Sequence, residues 1–94
     1  MKIGKFVTYM LRCSDDSFYI GHTDNLEKRL SLHQSGKING YTAQRLPVKL
    51  VWMERFHTRD EAFVAERKIK GWSRKKKSAL INKDWETICK LSRE

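Results

Sequence analysis

The amino-acid sequence predicts an α+β fold in which helices flank a three-stranded antiparallel sheet. Three segments are rich in the aromatic and β-branched residues that favour strands, and residues that cap helices precede the segments between and after them. The chain has 94 residues, of which Leu, Ile, Val and Phe account for 22, so its apolar content supports one small core. We therefore expect residues 1–94 to form a single domain.

The first two strands are expected to pair as a hairpin. Residues 6–13 and 18–21 have the aromatic and β-branched composition of strands. The four residues between them, Ser14 to Ser17, are small and polar and favour a turn. Two strands joined by so short a connection pair antiparallel.

A helix and a loop are predicted next. Thr23 or Asp24 can cap a helix that runs to about Gln34, and Gly36 would end it. Residues 37–46 show no hydrophobic period, so this segment is predicted to be a loop.

The third strand precedes a long helix. Residues 48–56 alternate apolar side chains on one side and follow a proline. Thr58 and Glu61 match a capping box, and the helix that they begin is predicted to run to about Lys70.

Two shorter helices complete the predicted fold. Ser73 can cap a basic helix that runs through Ile81, and Asp84 can cap a last one.

The chain has three tryptophans, for which packing in or beside the core is the first interpretation and stacking on unpaired bases the second. They are Trp52, Trp72 and Trp85.

The net charge of +9 is concentrated in one segment. Residues 67–77 contain seven basic residues and no acidic residue, whereas the rest of the chain has a net charge of +2. Such a segment favours a polyanionic partner, most often nucleic acid, although a solvated helix face has the same composition. The seven residues are Arg67, Lys68, Lys70, Arg74, Lys75, Lys76 and Lys77.

The sequence also bears on the compartment. No stretch approaches the ~18 consecutive apolar residues of a membrane span, so we expect no membrane association. Two cysteines are too few for a disulfide framework and favour the cytoplasm.

Two charged residues fall on helix faces that are otherwise apolar. At about 100° per residue, Glu66 lies between Ala62 and Phe63. Arg29 falls on the apolar side of the first helix, with His33 one turn later. One interpretation is a partly buried Arg29–Glu66 ion pair, or side chains that reach solvent from the edge of the apolar face. The other is a polar cleft in which Glu66 binds a hydrolytic metal ion and Arg29 contacts phosphate.

The order of these residues resembles that of the GIY-YIG nuclease domain. The similarity covers residues 6–82 and is greatest to small stand-alone prokaryotic proteins that resemble the excision-repair nuclease. It implies a fold of the predicted class and hydrolysis of a phosphodiester bond. The residues that carry it are, in order, Tyr9, Tyr19-Ile20-Gly21, Arg29, His33 and Glu66.

The resemblance implies a role for each polar residue. Glu66 would hold a single Mg²⁺ or Mn²⁺ ion, and Arg29 would hold the scissile phosphate. Tyr9 or Tyr19 would help to deprotonate the attacking water, for which nearby positive charge must lower the phenol pKa from about 10. His33 would orient a tyrosine or relay a proton.

Further positions match the family less completely. Gly21 would let backbone pass close to the substrate, and Asn82 is a weaker match to a late asparagine. Val7-Thr8 stands where the family has glycine and isoleucine before Tyr9. His22 stands where several members have lysine, and a neutral imidazole there could act as a base.

The length of the hairpin loop decides whether Tyr9 and Tyr19 lie on the same face of the sheet. A four-residue loop would place Tyr9 and Tyr19 on opposite faces of the sheet, because side chains alternate along a strand. A loop of three or five residues, or a bulge, would place both on one face. We predict the second arrangement, since a joint site requires it.

The sequence thus predicts a metal-dependent endonuclease that acts on DNA in preference to RNA, with structured or damaged DNA as a candidate substrate. The alternative is a nucleic-acid-binding module with little or no activity, and a basic protein-interaction domain is a third class. Because no further DNA-reading segment is evident, a protein partner could supply specificity.

Overall fold

The computed structural model describes residues 4–37 and 40–92 and confirms the predicted α+β architecture. A three-stranded antiparallel sheet has the strand order β2-β1-β3, so β2 and β3 are its edges. The elements are β1 (Phe6–Arg12), β2 (Phe18–Thr23), α1 (Leu26–Gln34), α2 (Gly40–Ala43), β3 (Lys49–Phe56), α3 (Arg59–Lys70), α4 (Arg74–Ile81) and α5 (Trp85–Ser92).

The hairpin register places Tyr9 and Tyr19 on one face of the sheet, as predicted. Tyr9 is opposite Gly21 and Leu11 is opposite Tyr19. The Cys13 amide donates to the Ser17 carbonyl at 2.9 Å, so the loop is one residue shorter than Ser14–Ser17. Asp16 in this loop has a φ of 66°, a conformation that aspartate tolerates better than most residues.

The two faces of the sheet carry separate clusters. Tyr9 and its same-face neighbours pack against Leu26 and Leu30 of α1. On the other face Met10 packs with Ile69 of α3 and Leu80 of α4. The sheet is therefore covered on both sides, and side chains that alternate along β1 reach different helices.

The start of α1 differs from the prediction, and its end agrees with it. Asn25 caps the helix, since its side chain accepts a hydrogen bond from the Lys28 amide at 3.1 Å. Thr23 instead accepts from the Asn25 amide at 3.1 Å. Gly36 ends the helix with a φ of 74°, the left-handed conformation that favours glycine.

The predicted loop over residues 37–46 contains a short helix, α2, which corrects the prediction. Its residue Thr42 is buried, and Arg45 just beyond it bonds Asp15 in the β1–β2 turn at 3.0 Å. These contacts join segments that are distant in the sequence. No local periodicity therefore predicts the helix. Residues 38 and 39 lie outside the described part of the chain.

The later helices follow the predicted signals. Thr58 and Glu61 form the capping box of α3, and Ser73 caps α4. The carboxylate of Asp84 accepts from the Thr87 amide at 3.2 Å at the start of α5. Both cysteines are free. No helix in the described ranges has the length and apolar character needed to cross a membrane.

Candidate active site at the edge strand β2

The first part of the site is a close approach between Tyr9 and Gly21. Tyr9 is 1% exposed, and its ring lies across the opposing residue of β2. A Cβ on Gly21 would lie 2.6 Å from the Tyr9 hydroxyl and 3.2 Å from Cε2 of Tyr19. The space that we assigned to a passing substrate is therefore filled by the Tyr9 phenol, which only a glycine at position 21 permits.

A chain of hydrogen bonds extends from Tyr9 away from the sheet. Its hydroxyl lies 2.9 Å from Nε2 of His33, and Nδ1 of His33 lies 2.9 Å from Oγ1 of Thr42. His33 and Thr42 are each 1% exposed. Tyr9 and His33 are identifiable from the sequence, whereas Thr42 is not, because it lies in the segment predicted to be a loop.

Tyr19 completes an aromatic cluster around this chain. Its ring centroid lies 6.4 Å from that of Tyr9, 5.2 Å from His33 and 6.2 Å from Tyr41. Tyr19 is only partly buried, and Tyr41 is 38% exposed. The cluster thus runs from the buried phenol of Tyr9 to the protein surface.

The protonation states of Tyr9 and His33 follow from their burial. Burial raises the pKa of Tyr9, the negative form of Tyr19 raises it further, and the charge of Arg29 only partly opposes this. Burial and then the charge of Arg29 lower the pKa of His33. In the protein without bound metal, Tyr9 is therefore a protonated phenol beside a neutral imidazole. A lowered phenol pKa stays a prediction for the site with metal bound.

Glu66 lies on the opposite face of the sheet and is held by two basic side chains. The residue is 8% exposed, and its Oε1 lies 2.9 Å from Nδ1 of His22 on β2. Its Oε2 pairs with the exposed Nζ of Lys70 at 3.2 Å. The imidazole of His22 also packs edge-on against Phe63, with ring centroids 5.6 Å apart. His22 thus joins the edge strand to α3.

The Arg29–Glu66 ion pair, one of the two interpretations of the sequence, is not formed. Within the described ranges, the Arg29 guanidinium has no ion-pair partner, although the side chain is half-buried. Both Arg29 and Glu66 nevertheless act electrostatically on Tyr9. Arg29 lies on α1 and Glu66 on α3, so the two charged residues belong to helices on different faces of the sheet.

Thr8 fixes the helix that carries Glu66. Its hydroxyl donates to the carbonyl oxygen of Ala62 at 2.7 Å, and the residue is fully buried. Ala62 lies one turn before Glu66, so its carbonyl is also the acceptor for the Glu66 amide in the helix. In the sequence Thr8 is recognisable only as a departure from the family pattern, so this hydrogen bond was not predicted.

The site offers a metal ion a single carboxylate. No group of three or more histidine, cysteine, aspartate or glutamate side chains suited to a metal ion occurs in the described ranges. Mg²⁺ often takes one or two protein carboxylates and keeps several waters. Glu66 fits that pattern, because its Oε2 is held only by an exposed lysine that can swing away.

Some basic side chains of residues 67–77 contact other parts of the protein, and others face solvent. Arg74 donates to the Asp16 carbonyl at 2.6 Å and lies 4.5 Å above the Phe18 ring. Lys76 lies 4.2 Å above the Trp72 ring. Arg67 is exposed and lies 5.7 Å from the centroid of the Phe63 ring. Lys68 and Lys75 are exposed, so these and Lys77 are the better candidates for contact with phosphate.

Two sequence-based candidates lie away from the β2 edge. Asn82 ends α4, and its neighbours Ile81 and Lys83 line a pocket against β3, the other edge of the sheet.

All three tryptophans line one open groove of about 610 Å³. Three carboxylates on the same groove disfavour a phosphate backbone there, namely those of Glu54, Asp60 and Glu61.

Comparison with known proteins identifies the family. Residues 5–79 match the family model described as the GIY-YIG catalytic domain. The chain belongs to the GIY-YIG family. A UPF0213 protein of Bacillus pumilus is 48% identical over 73 residues, which are 78% of this chain and 74% of the relative. A UPF0213 protein of Staphylococcus haemolyticus is 40% identical over 79 residues, covering 84% of this chain and 96% of the relative.

Solved structures support the same assignment. The solution NMR structure of a protein from E. faecalis is 39% identical, with a TM-score of 0.57, and the alignment covers 88% of this GIY-YIG chain and 86% of that one. The solution NMR structure of a UPF0213 protein from Bacillus halodurans is 38% identical, with a TM-score of 0.54 and coverage of 82% of both chains.

Proposed function

We propose that this GIY-YIG domain is a metal-dependent endonuclease that hydrolyses phosphodiester bonds in DNA. The observation that carries the proposal is the position of Tyr9 on β1, whose hydroxyl lies against Gly21 of the edge strand β2 and 2.9 Å from Nε2 of His33. A general-base partner, a phosphate-binding cation and a carboxylate are the groups that metal-assisted phosphate hydrolysis needs.

Glu66 would hold the divalent ion, Mg²⁺ or Mn²⁺. Binding requires that Lys70 release Oε2, while the hydrogen bond from His22 keeps Oε1 in position. Once bound, such an ion supplies Lewis-acid stabilisation to a phosphate oxygen. The exposed position of Lys70 favours the exchange, because water can solvate the ammonium group once the ion displaces it.

Tyr9 and His33 would move the proton of the attacking water. Tyr9 is protonated, so it cannot act as a base until its own proton leaves. His33 is neutral and its Nε2 lies 2.9 Å from the Tyr9 hydroxyl. We therefore assign His33 as the group that takes the Tyr9 proton while the Tyr9 oxygen takes the proton of the water. Tyr19 encloses this pair with its ring.

The remaining cations would bind and stabilise phosphate. Arg29 has no ionic partner among the described residues, and its planar fork suits two phosphate oxygens. The exposed basic residues near the end of α3 and in α4 would contact the backbone on either side of the cut. His22 keeps Nε2 for substrate, because Nδ1 is committed to Glu66.

DNA with a nick, branch or unpaired region is the substrate that we favour over RNA. The exposed basic residues of α3 and α4 suit contacts with the phosphate backbone, so this domain would recognise shape and backbone. A protein partner would then supply any sequence specificity.

The experiment is cleavage of nicked, branched and single-stranded DNA with and without Mg²⁺ or Mn²⁺. Wild type is compared with Glu66→Ala, and Glu86→Ala on exposed α5 is the control. We expect metal-dependent cleavage by wild type and the control and none by Glu66→Ala. Equal cleavage by all three proteins would contradict the proposal.

A binding module without activity is the second candidate. The observation that favours it is that both carboxylate oxygens of Glu66 are engaged within the chain, by His22 and Lys70. Salt-sensitive DNA binding that survives Glu66→Ala, with no cleavage by any variant, would support this candidate instead.

A further inference from the structure

Two hydrogen bonds link three buried side chains on the α1 side of the sheet. They join Tyr9 to Nε2 of His33 and Nδ1 of His33 to Thr42, each over 2.9 Å. Both ring nitrogens therefore have a partner inside the protein. A neutral imidazole carries one N–H and one acceptor nitrogen, so these partners decide which nitrogen holds the proton.

Tyr9 decides which group donates and which accepts in each of these two hydrogen bonds. A phenol is a stronger acid than an aliphatic hydroxyl and therefore a stronger donor, and an unprotonated imidazole nitrogen is a stronger acceptor than either hydroxyl oxygen. The favoured pairing has Tyr9 donating to Nε2 of His33. Nδ1 then carries the ring proton and donates to Oγ1 of Thr42.

The position of Thr42 is fixed from outside the site. Nη1 of Arg45 donates to the Tyr41 carbonyl at 2.9 Å, and its Nε donates to Asp15 at 3.0 Å. The Arg45 carbonyl also accepts from the Ser14 amide at 2.9 Å. These hydrogen bonds hold the short helix α2 against the β1–β2 turn. The backbone of Thr42 is therefore held in place while its side chain contacts His33.

We propose that Thr42 is a positioning residue that holds His33 in the tautomer with its proton on Nδ1. Nε2 is then available to the proton of Tyr9. When the Tyr9 O–H bond breaks, an N–H bond forms at Nε2, and the Tyr9 oxygen regains a proton from the attacking water, whose oxygen bonds to phosphorus. The P–O bond to the leaving nucleotide breaks as this bond forms, and the leaving oxygen takes a proton from solvent. His33 then returns its Nε2 proton to solvent. In the other tautomer Nε2 already carries a proton and accepts none.

The catalytic consequence rests on the proposed function, whereas the tautomer does not. Thr42→Val removes the acceptor and keeps the shape of the side chain. An N–H at Nδ1 would then be buried without a partner, which is costly, so the ring proton should move to Nε2. Thr42→Ser keeps the hydroxyl and should keep the tautomer.

The test is the ¹⁵N chemical shifts of the His33 ring nitrogens, with His22→Gln and His57→Gln used to assign the three histidines. We expect a protonated Nδ1 and an unprotonated Nε2 in wild type and Thr42→Ser, and the reverse in Thr42→Val. A wild-type ring protonated at Nε2 would overturn the inference whether or not any variant folds. An unchanged tautomer in Thr42→Val would also overturn it.

Single-turnover cleavage separates this inference from the proposed function. If wild type cleaves DNA, Thr42→Val should lower the rate at least tenfold with little change in DNA affinity, and Thr42→Ser should restore it. Wild-type rates in a Thr42→Val protein whose tautomer has moved would contradict the positioning role. Absence of cleavage by wild type would contradict the proposed function and leave the ¹⁵N result to decide the tautomer.

Discussion

The hydroxyl of Tyr9 lies where a side chain on Gly21 would begin, 2.6 Å from the position of its Cβ. The glycine in the family motif thus makes room for the motif's own tyrosine. Tyr9 also forms a hydrogen bond with His33. The close contact between Tyr9 and Gly21 therefore sets the position of the Tyr9–His33 hydrogen bond on the α1 side of the sheet.

Gly21→Ala should destabilise the domain and displace Tyr9. The added methyl group would overlap the phenol, and overpacking of this kind typically costs about 1–3 kcal/mol. Gly40→Ala is the matched control, since a Cβ there meets nothing within 4 Å. Urea unfolding should give a lower free energy of unfolding for Gly21→Ala than for Gly40→Ala. Equal values would show that the tyrosine moves aside without cost.

Thr8→Val should weaken cleavage through the position of Glu66. The substitution removes the hydroxyl that donates to the Ala62 carbonyl at 2.7 Å, for a loss of stability of about 1 kcal/mol. A looser α3 should raise the metal concentration needed for half-maximal cleavage. Thr87→Val, which removes a hydroxyl bond on exposed α5, should leave that concentration unchanged. An unchanged metal requirement in Thr8→Val would show that this bond does not position Glu66.

Acid should destabilise the domain through His33. Its pKa is lowered in the folded state, mainly by burial, so below about pH 6.5 the unfolded chain binds a proton that the folded chain resists. The free energy of unfolding should therefore fall as pH decreases below that value. Replacement by the neutral side chain in His33→Gln should reduce this fall, which thermal or urea unfolding at pH 5 and pH 7.5 measures. An identical fall in both proteins would assign the acid sensitivity to other groups.

The basic segment should separate into binding and structural residues. Lys75→Ala should weaken DNA binding equally for all sequences and reduce the salt dependence by about one phosphate contact, without loss of stability. Arg74→Ala should instead lower stability, because Arg74 bonds the Asp16 carbonyl and covers Phe18. Fluorescence anisotropy at several salt concentrations and urea unfolding measure the two effects. Equal salt slopes for wild type and Lys75→Ala would exclude Lys75 from the interface.

Local signals predict the strands and most helices, whereas the register of the tyrosine pair was predicted from the requirement for a joint site. Capping residues such as Thr58 and Ser73 act within four positions, so their effect is readable in the sequence. The helical position of Glu66 likewise predicts its burial.

The partners within the site could not be predicted in the same way. The His22–Glu66 bond joins residues 44 positions apart, and the Thr8–Ala62 bond joins residues 54 apart. No periodicity encodes such contacts, since they arise when α3 packs on β1 and β2. Thr42 was missed because its helix has four residues and is stabilised by contacts with distant segments.

The central claim is that Tyr9 on one face of the sheet and Glu66 on the other serve a single reaction. The most direct measurement is the single-turnover cleavage rate of Tyr9→Phe, Glu66→Gln and the double variant. Residues that act as a unit give effects that do not add. We predict that each single substitution lowers the rate at least ~100-fold and that the double variant is no slower than the slower single one. A double variant slowed by the product of the two single effects would contradict the claim.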